Sequence, residues 1–572
     1  MLHTISFYCN ITLFNLINMN KHSFILLICL VFLSINAYPA TYYVQASEGS
    51  DSNSGTLETP FKTIGKAIST AVSGDIVMVR SGIYNEAVTI SKSNITLCNY
   101  PDESPVIDGT GRVSGYIILV KVSGSYCVVR GFEIRNSNMG GTIGSYAGGG
   151  VGISLDGHHN TASRCKVHHT WIQAIRAAGD YSIVEDCEIY QCSQINYTTN
   201  SISVFGKGGW SCNLQVARDP VNGITEHAII RRNVVYNNYG EGIDTYEAGY
   251  CTVEDNISYD NWTINFYIAD CHHCLFQRNI VYRSPNTTFP LRAAGSGINY
   301  FDEQANGTTI PYSTDNILIN NLTYNCGIGC YTWTNVYNSG LKNVLIANNT
   351  LVNGKLNIGF GGTKNVTHEN TRIFNNIIMS SGSSIPSNAG ITFSNNCWSG
   401  TPPTAAQSPG DIIGDVVGDI KVSKAGGTDS GQLTADFFKL LKGSPAIGKG
   451  LSLDEVQEDF FKESRDVSPD LGAIEFKEIS SIDVTTQKSS GLTFAPNPAN
   501  GITKLFFQMS IPKDVTVSVC NLSGKEIYRK TQYLNPGLNE WKLVMGNEFK
   551  AGMYMVFIDK DSEIMAEKLV VL

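Results

Sequence analysis

Between about residue 120 and residue 400 the apolar positions fall in short β-rich bursts, each followed by an Asn or Cys, a second apolar pair and a turn of Asn, Gly or Tyr. Cys165 and Cys187 stand 22 residues apart in two such units, and Asn233, Asn256 and Asn279 follow at spacings of 23. Asn321, Asn349 and Asn376 continue the series more loosely, at 28 and 27. Strand-length runs at this period, with no helical pattern between them, predict the coils of a β-solenoid in which each strand pairs with its counterpart one turn on. One coil cannot bury its own apolar face, so stacking must do it, and equivalent side chains then lie about 4.8 Å apart. The Cys and Asn positions therefore predict an inward ladder along the stack. Cys251 and Cys274, also 23 apart, predict a second column whose neighbouring thiols allow a disulfide without requiring one.

The ladder also sets side-chain direction, because successive strand residues alternate between faces. Ten residues after the ladder position come Ile175, Ile243 and Phe266, all apolar and read as inward. The next residue in each coil, Arg176, Asp244 and Tyr267, then points outward, and Glu247 and Asp270 are neighbours at the strand ends. Segment 197–226 breaks the period: Asn233 follows Cys187 by 46 residues, either two coils or one coil with a long excursion. That segment carries Lys207, Trp210 and Arg218, while His168, His169 and Trp171 precede the Arg176 strand.

At the amino-terminal side of the repeat stand Tyr42-Tyr43-Val44, Gly49 to Gly55, Pro60-Phe61-Lys62-Thr63-Ile64, Gly74-Asp75-Ile76-Val77 and Gly82-Ile83-Tyr84. With the ladder, these motifs resemble the right-handed parallel β-helix proteins of the pectate-lyase-like group, which includes polysaccharide lyases, glycoside hydrolases and epimerases. The resemblance implies a cap in which a short helix, about Thr63 to Ala71, closes the open end of the core. The segment Ser444-Pro445-Ala446-Ile447 to Ile474-Glu475 is similar to the way such helices end. Residues 41–477 are thus expected to form an all-β, right-handed parallel β-helix with an N-terminal helical cap.

Residues 478–490 read as a polar linker. Residues 491–572 alternate over short strands between turns, which predicts a small β-sandwich. The order Pro496-Asn497-Pro498, Gly552-Met553-Tyr554 and Lys568-Leu569-Val570-Val571 resembles the carboxy-terminal sorting domain of the type IX (Por) secretion system of Bacteroidetes. That resemblance implies passage through the outer membrane and a secreted or cell-surface protein, with the secretion machinery as partner. Residues 1–40 read as upstream residues and a signal peptide: Met19-Asn20-Lys21-His22 is a short basic start, Phe24 to Leu33 an apolar stretch too short to span a bilayer, and Ala37 or Ala40 a cleavage site. No other segment suggests a transmembrane helix, and a monomer is expected.

Composition narrows the chemistry. Charged residues are only 16% of the chain against 55 glycines, and the net charge of −9 supplies no electrostatic footprint for nucleic acid. Of fifteen cysteines, thirteen lie beyond residue 40, scattered through strand-like runs, and most read as buried thiols. Sequons at Asn256, Asn261 and Asn321 read as chance products of Asn-rich turns, and Cys271-His272-His273-Cys274 lacks a second pair to close a zinc site.

The outward face suits a sugar chain, with carboxylates and bases to do chemistry and aromatic residues to bind. Candidate catalytic residues are Lys207, Arg176, Asp244, Glu247 and His169. Candidate substrate-binding residues are Trp171, Trp210, Tyr246, Tyr267 and His168. A lyase needs a base for the proton α to a uronate carboxylate and a cation or Arg against that carboxylate. Lys207, Arg176 or a His would be the base, with Asp244, Glu247 and Asp270 as Ca²⁺ ligands. A hydrolase needs two carboxylates flanking the bond, such as Asp244 with Glu247 or Asp270. Calcium-dependent lyases of the resembled group use an acid cluster with a Lys base, and this chain departs from that pattern. The reading is a secreted protein cleaving a polysaccharide, lyase slightly ahead of hydrolase, with a non-catalytic glycan-binding surface protein as the alternative.

Overall fold

The computed structural model describes residues 39–112, 117–138, 149–197, 211–219, 223–291, 296–303, 313–332, 339–359, 366–380, 382–414, 420–477, 492–509, 513–521, 525–546, 548–560 and 563–572. The signal-peptide segment, Lys207 and Trp210 lie outside the described residues. The chain divides into two compact units, Met1–Phe476 and Lys477–Leu572.

In the first unit the successive coils build three parallel sheets, of thirteen, thirteen and eleven strands. Along one coil the strand Ile229–Arg231 lies in the first sheet, Val234–Tyr236 in the second and Glu241–Gly249 in the third. Their partners one coil on are Thr252–Glu254, Ile257–Tyr259 and Ile264–His272, in unbroken register. The enclosed core is a column of Val, Ile, Leu, Phe and Cys side chains running from Val44 to Trp398. Its amino-terminal end is closed by the helix Ile64–Thr70, in which Ile64, Ala67 and Ile68 are buried and Thr63 caps the Lys66 N–H.

Between the first and second sheets runs the predicted ladder. The Asn256 side-chain oxygen accepts from the Asn233 backbone N–H at 3.0 Å and from the Asn233 amide at 3.0 Å, and Asn256 binds Asn279 in the same way. The pattern extends through Asn321, Asn349, Asn376 and Asn396, farther than the spacing indicated. Cys187 belongs to the same column, its N–H donating to Asn233 Oδ1 at 3.0 Å. Each amide also donates to a backbone carbonyl, as Asn256 does to Ile230 at 2.9 Å, so the turn polar groups are satisfied in the dry interior. Asn256, Asn261 and Asn321 are at most 2% exposed, which removes them as glycosylation acceptors in the folded chain.

The second column is present: the Cys251 N–H donates to Cys274 Sγ at 3.3 Å and the Cys274 N–H to Asn316 Oδ1 at 2.8 Å. Both thiols are free, as are all thirteen described cysteines, and twelve of these are buried. Cys271 and Cys274 face the core while His272 and His273 remain outside, so the Cys-His-His-Cys run does not converge.

Residues 420–476 wrap the outer faces of the coils. Leu433, Phe437 and Phe438 cover Tyr259, Tyr282 and Leu322 on the second sheet, while Leu453 and Val456 cover Ile319 and Leu345 on the first. Arg465 and Glu475, both buried, form an ion pair that is tied to the coils by an Arg465 bond to Asn320 Oδ1 at 2.7 Å.

The second unit is a seven-stranded β structure with its own core of Leu505, Phe507, Val517, Val519, Trp541, Val556 and Leu569. Its neighbouring strands are antiparallel apart from Thr493–Asn500 with Glu563–Val571, and Ile502–Met509 alternates exposed and buried residues as a half-buried strand should. Among the described residues no helix is long and apolar enough to cross a membrane.

Candidate functional site

Parallel pairing carries one outward row across the third sheet: Ser154, Arg176, Gln215, Asp244, Tyr267, Asn299 and Gly329 stand in register on successive coils. The inward row beside it is apolar: Ile153, Ile175, Leu214, Ile243, Phe266 and Ile298. Strand alternation thus places Asp244 beside Tyr267 as the ladder predicted. The 46-residue gap is one coil with a long excursion, because strands 183–185 and 229–231 pair directly while Cys212–Val216 fills the third sheet between Arg176 and Asp244. Arg176 is therefore two coils from Asp244.

The acidic centre is built around Asp244, which is 3% exposed. Its Oδ2 accepts from Gln215 Nε2 at 3.0 Å, and Gln215 is held in turn by Gln173. Its Oδ1 is buried and has no hydrogen-bond partner among the described residues. Glu241 and the Cys212 thiol close round it, the three offering ligand atoms within 4.8 Å of one another. Tyr267 donates its hydroxyl to Glu303, whose backbone N–H donates to Asp270 Oδ1 at 2.9 Å.

Burial dominates the electrostatics. It pushes Asp244 up to about 7, aided by the Glu303 charge and opposed by Cys212 and Gln215. Glu241 is pushed well above the carboxylate range by burial and by the charges of Asp244 and Glu303. Burial, then the Glu303 charge, raises the Tyr267 phenol, and the Cys212 thiol is raised by burial and then by the charges of Asp244 and Glu241. Burial likewise pushes Asp302 up to about 6, while hydrogen bonds from Thr110, Arg135 and Asn136 outweigh burial to hold Asp108 at about 2.

Raised carboxyls favour the fold when protonated. The stability that Asp244 and Asp302 contribute is complete below their ordinary value of 3.8 and is lost as pH rises through about 6 to 7. The contribution of Asp108 has the opposite sign and disappears only as pH falls from 3.8 towards 2. Metal-free protein is expected to melt at a lower temperature at pH 7.5 than at pH 5, with a shallower slope in Asp244→Asn. Equal slopes in thermal scans would show that Asp244 does not titrate in this window.

Several predicted residues lie elsewhere. The expected metal trio of Asp244, Glu247 and Asp270 does not gather: Asp244 goes with Glu241 and Cys212, Glu247 faces Arg218 at 3.6 Å, and Asp270 holds the Glu303 backbone. The cause is local, since Glu247 and Asp270 both take left-handed backbone, φ 51°, which interrupts strand alternation. Tyr246 stands among the charges of Glu247, Asp270, Glu303 and Asp244, which reinforce burial in raising its phenol. Arg176 lies 3.7 Å from Asp156 and donates to the Arg218 carbonyl.

His168 is not on this face. It sits in the strand Lys166–Thr170 of the second sheet, in register with Tyr190 and stacked on its ring at 4.9 Å. His169 turns aside in left-handed backbone with its Nδ1 2.7 Å from that of His168, and burial lowers both imidazoles. Trp171 is packed with Ile172 and Ile195, 6% exposed, rather than offered as a platform. Glu303 and Gln215 were not singled out by the sequence. Carrying the column on from Tyr267 to Asn299 would have put Asp302 at the Asp270 position with Glu303 next, but residues 283–295 break the period.

Comparison with known proteins bears on the fold and the sorting domain. Residues 42–261 match the model of the Pel9A-like right-handed β-helix region, and residues 493–572 match that of the secretion system C-terminal sorting domain. The chain carries a Pel9A-like right-handed β-helix and a Por sorting domain. The sorting domain marks an exported protein, secreted or at the cell surface. A curated relative, the uncharacterized protein YwoF of Bacillus subtilis (strain 168), is 40% identical over 73 residues, which are 12% of this chain and 16% of that one. Solved structures similar to the chain include pectate lyase Pel9A, at 18% identity and TM-score 0.44 over 78% of this chain and 98% of that one. A rhamnogalacturonan lyase is similar at 16% identity and TM-score 0.37, over 77% and 97%. XylC in complex with xylose is similar at 11% identity and TM-score 0.45, over 88% and 100%.

Proposed function

We propose that the β-helix cleaves an acidic, uronate-containing polysaccharide by β-elimination at the outer face of the third sheet, with a divalent cation held at Asp244. The observation that carries this reading is the buried Asp244 Oδ1, which accepts from no N–H or O–H group among the described residues and has only the Cys212 thiol and Glu241 close by, within the field of Glu303. Carboxylates gathered away from water repel one another unless protonated or joined by a cation. Their oxygens suit a hard ion such as Ca²⁺. The Cys212 thiol does not, being soft and held protonated, so Asp244 and Glu241 are the residues that would hold it, with Glu303 adding its charge nearby. Bound there, the ion would supply positive charge against a uronate carboxylate.

The chain's own groups do the rest. Gln173 and Gln215 fix the Asp244 carboxyl, and Tyr267 fixes Glu303. The base takes the proton from the carbon next to the uronate carboxylate. Those electrons become a carbon–carbon double bond as the glycosidic carbon–oxygen bond breaks, and the leaving oxygen ends protonated. Lys207 is the proposed base, with Arg176 steadying the chain two coils away.

A hydrolase is the second reading, favoured by an Asp244 carboxyl at about 7 that can act as a general acid near neutrality. The test is full-length protein on uronate and neutral polysaccharides, following the ultraviolet absorbance of unsaturated ends together with reducing ends. Both signals are expected on a polyuronate, abolished by chelator and restored by Ca²⁺. Reducing ends alone would mean hydrolysis, and glycan binding without new ends would mean a non-catalytic surface protein.

A further inference from the structure

At the turn from the third sheet to the first, one position repeats on every coil in left-handed backbone. Asn94, Asn343 and Asn370 occupy it near the two ends, at φ 58°, 52° and 45°. Asn takes this conformation readily, and the late ones chain together, Asn370 donating to Asn343 at 3.1 Å and Asn343 to Asp315 at 2.9 Å. Over six consecutive coils between them the same position holds rings instead: Tyr126, His159, Tyr181, His227, Tyr250 and His273, at φ between 54° and 61°. Tyrosine adopts this region less readily than asparagine or histidine, so the rings are not chosen for the turn alone.

The rings stack in order, tyrosine and histidine alternating, with centroids 4.5, 4.5, 4.6, 5.3 and 4.8 Å apart and planes within 26°. Their faces are therefore consumed by one another, and what remains for solvent is a line of edges bearing phenol hydroxyls and imidazole nitrogens. Tyr126, Tyr181 and Tyr250 are 58%, 45% and 46% exposed in spite of this stacking. The line also borders the strands that carry the acidic centre. Tyr250 directly follows the strand that carries Asp244 and Glu247, and His273 directly follows the strand that carries Tyr267 and Asp270. Beyond those coils the position reverts to Asp315 and then to asparagine.

We infer that this ridge is a binding rail for the acidic polysaccharide, running along the solenoid axis and presenting one hydrogen-bond donor edge per coil to the sugar hydroxyls and carboxylates. The inference rests on the cleavage proposed above and names where the polymer is held away from the point of scission. Faces stacked on sugar rings are the usual aromatic contact with carbohydrate, but this geometry excludes them, so recognition must be polar and edge-on.

The test is the full-length triple variant Tyr126→Asn, Tyr181→Asn and Tyr250→Asn, which installs the residue that the same turn uses at other coils. Affinity for polygalacturonate and alginate is measured in chelator, so that no turnover occurs, and kcat and KM are measured with Ca²⁺. At least tenfold weaker binding is expected, with KM raised by a similar factor, kcat unchanged and the melting midpoint retained. Tyr181→Phe with Tyr250→Phe keeps the stack and removes two hydroxyls, so it loses part of the affinity without any question of folding. Variants that bind and turn over like the parent overturn the rail and leave the lyase standing. Parent protein that binds without cleaving, with binding lost in the variants, keeps the rail and overturns the lyase. Parent protein that neither binds nor cleaves overturns both.

Discussion

Asp244→Asn is expected to lower polysaccharide cleavage by about a thousandfold, the scale on which a positioned charged or proton-transferring group acts. Asparagine keeps the shape and still accepts from Gln215, so lost activity cannot be assigned to lost packing. The fold should gain where the proposed activity loses. A buried carboxylate crowded by Glu241 and Glu303 is costly when ionised, and the amide removes that cost. At neutral pH the metal-free variant should therefore melt no lower than the parent. Calcium should raise the parent's melting temperature and leave the variant's nearly unmoved, since only the parent keeps the ligand oxygen pair. Rates from the unsaturated-end assay and paired thermal scans check all three. Undiminished cleavage in Asp244→Asn would remove this carboxyl from the chemistry.

The largest loss of stability is expected from the ladder. Asn256→Ala leaves the Asn233 backbone N–H and amide without their acceptor and the Ile230 carbonyl without its side-chain donor, all in a fully buried column. Each orphaned group costs roughly 1–3 kcal/mol, so a loss of about 2–4 kcal/mol is expected after partial relaxation. Because each coil contacts only its neighbours, the damage should spread to the coils of Asn233 and Asn279 before the ends respond. Urea unfolding followed by hydrogen exchange would show it, and protection loss uniform along the solenoid would contradict nearest-neighbour stacking. Asn256→Asp is no remedy: its oxygens still accept, but it brings an unpaired charge into the core and cannot donate.

How far the sequence reaches is set by periodicity. Where the coil length stays at 22 to 23 residues, one ladder residue determines sheet membership, register and facing, and the Asp244–Tyr267 pairing followed from it. Where the coil length changes the rule fails, and Glu303 was missed because residues 283–295 lengthen the preceding coil. Left-handed kinks inside a coil are a second blind spot. Glu247 and Asp270 were grouped with Asp244 on spacing alone, yet their positive φ redirects them towards Arg218 and the Glu303 backbone. His168 precedes the Arg176 strand and reads as a substrate-binding residue of that face, whereas Lys166–Thr170 is a strand of the second sheet, where ring stacking on Tyr190 places it. The sorting domain was legible from short motifs in order, as those strands and turns are local in sequence.

Twelve buried free thiols run from Cys98 to Cys397 without a crosslink between them. An exported protein built this way carries its own reporters of breathing. A thiol reagent can reach such a cysteine only when its coil opens, so the labelling rate of each residue reads the local opening free energy at that height of the solenoid. Cys98 in the early strand Thr96–Asn99 and Cys397 beneath the carboxy-terminal wrap would report the two ends, and Cys251 with Cys274 the middle, with Cys212 at the acidic centre. The order in which they react, resolved by mass, would give the sequence of unzipping without a single substitution.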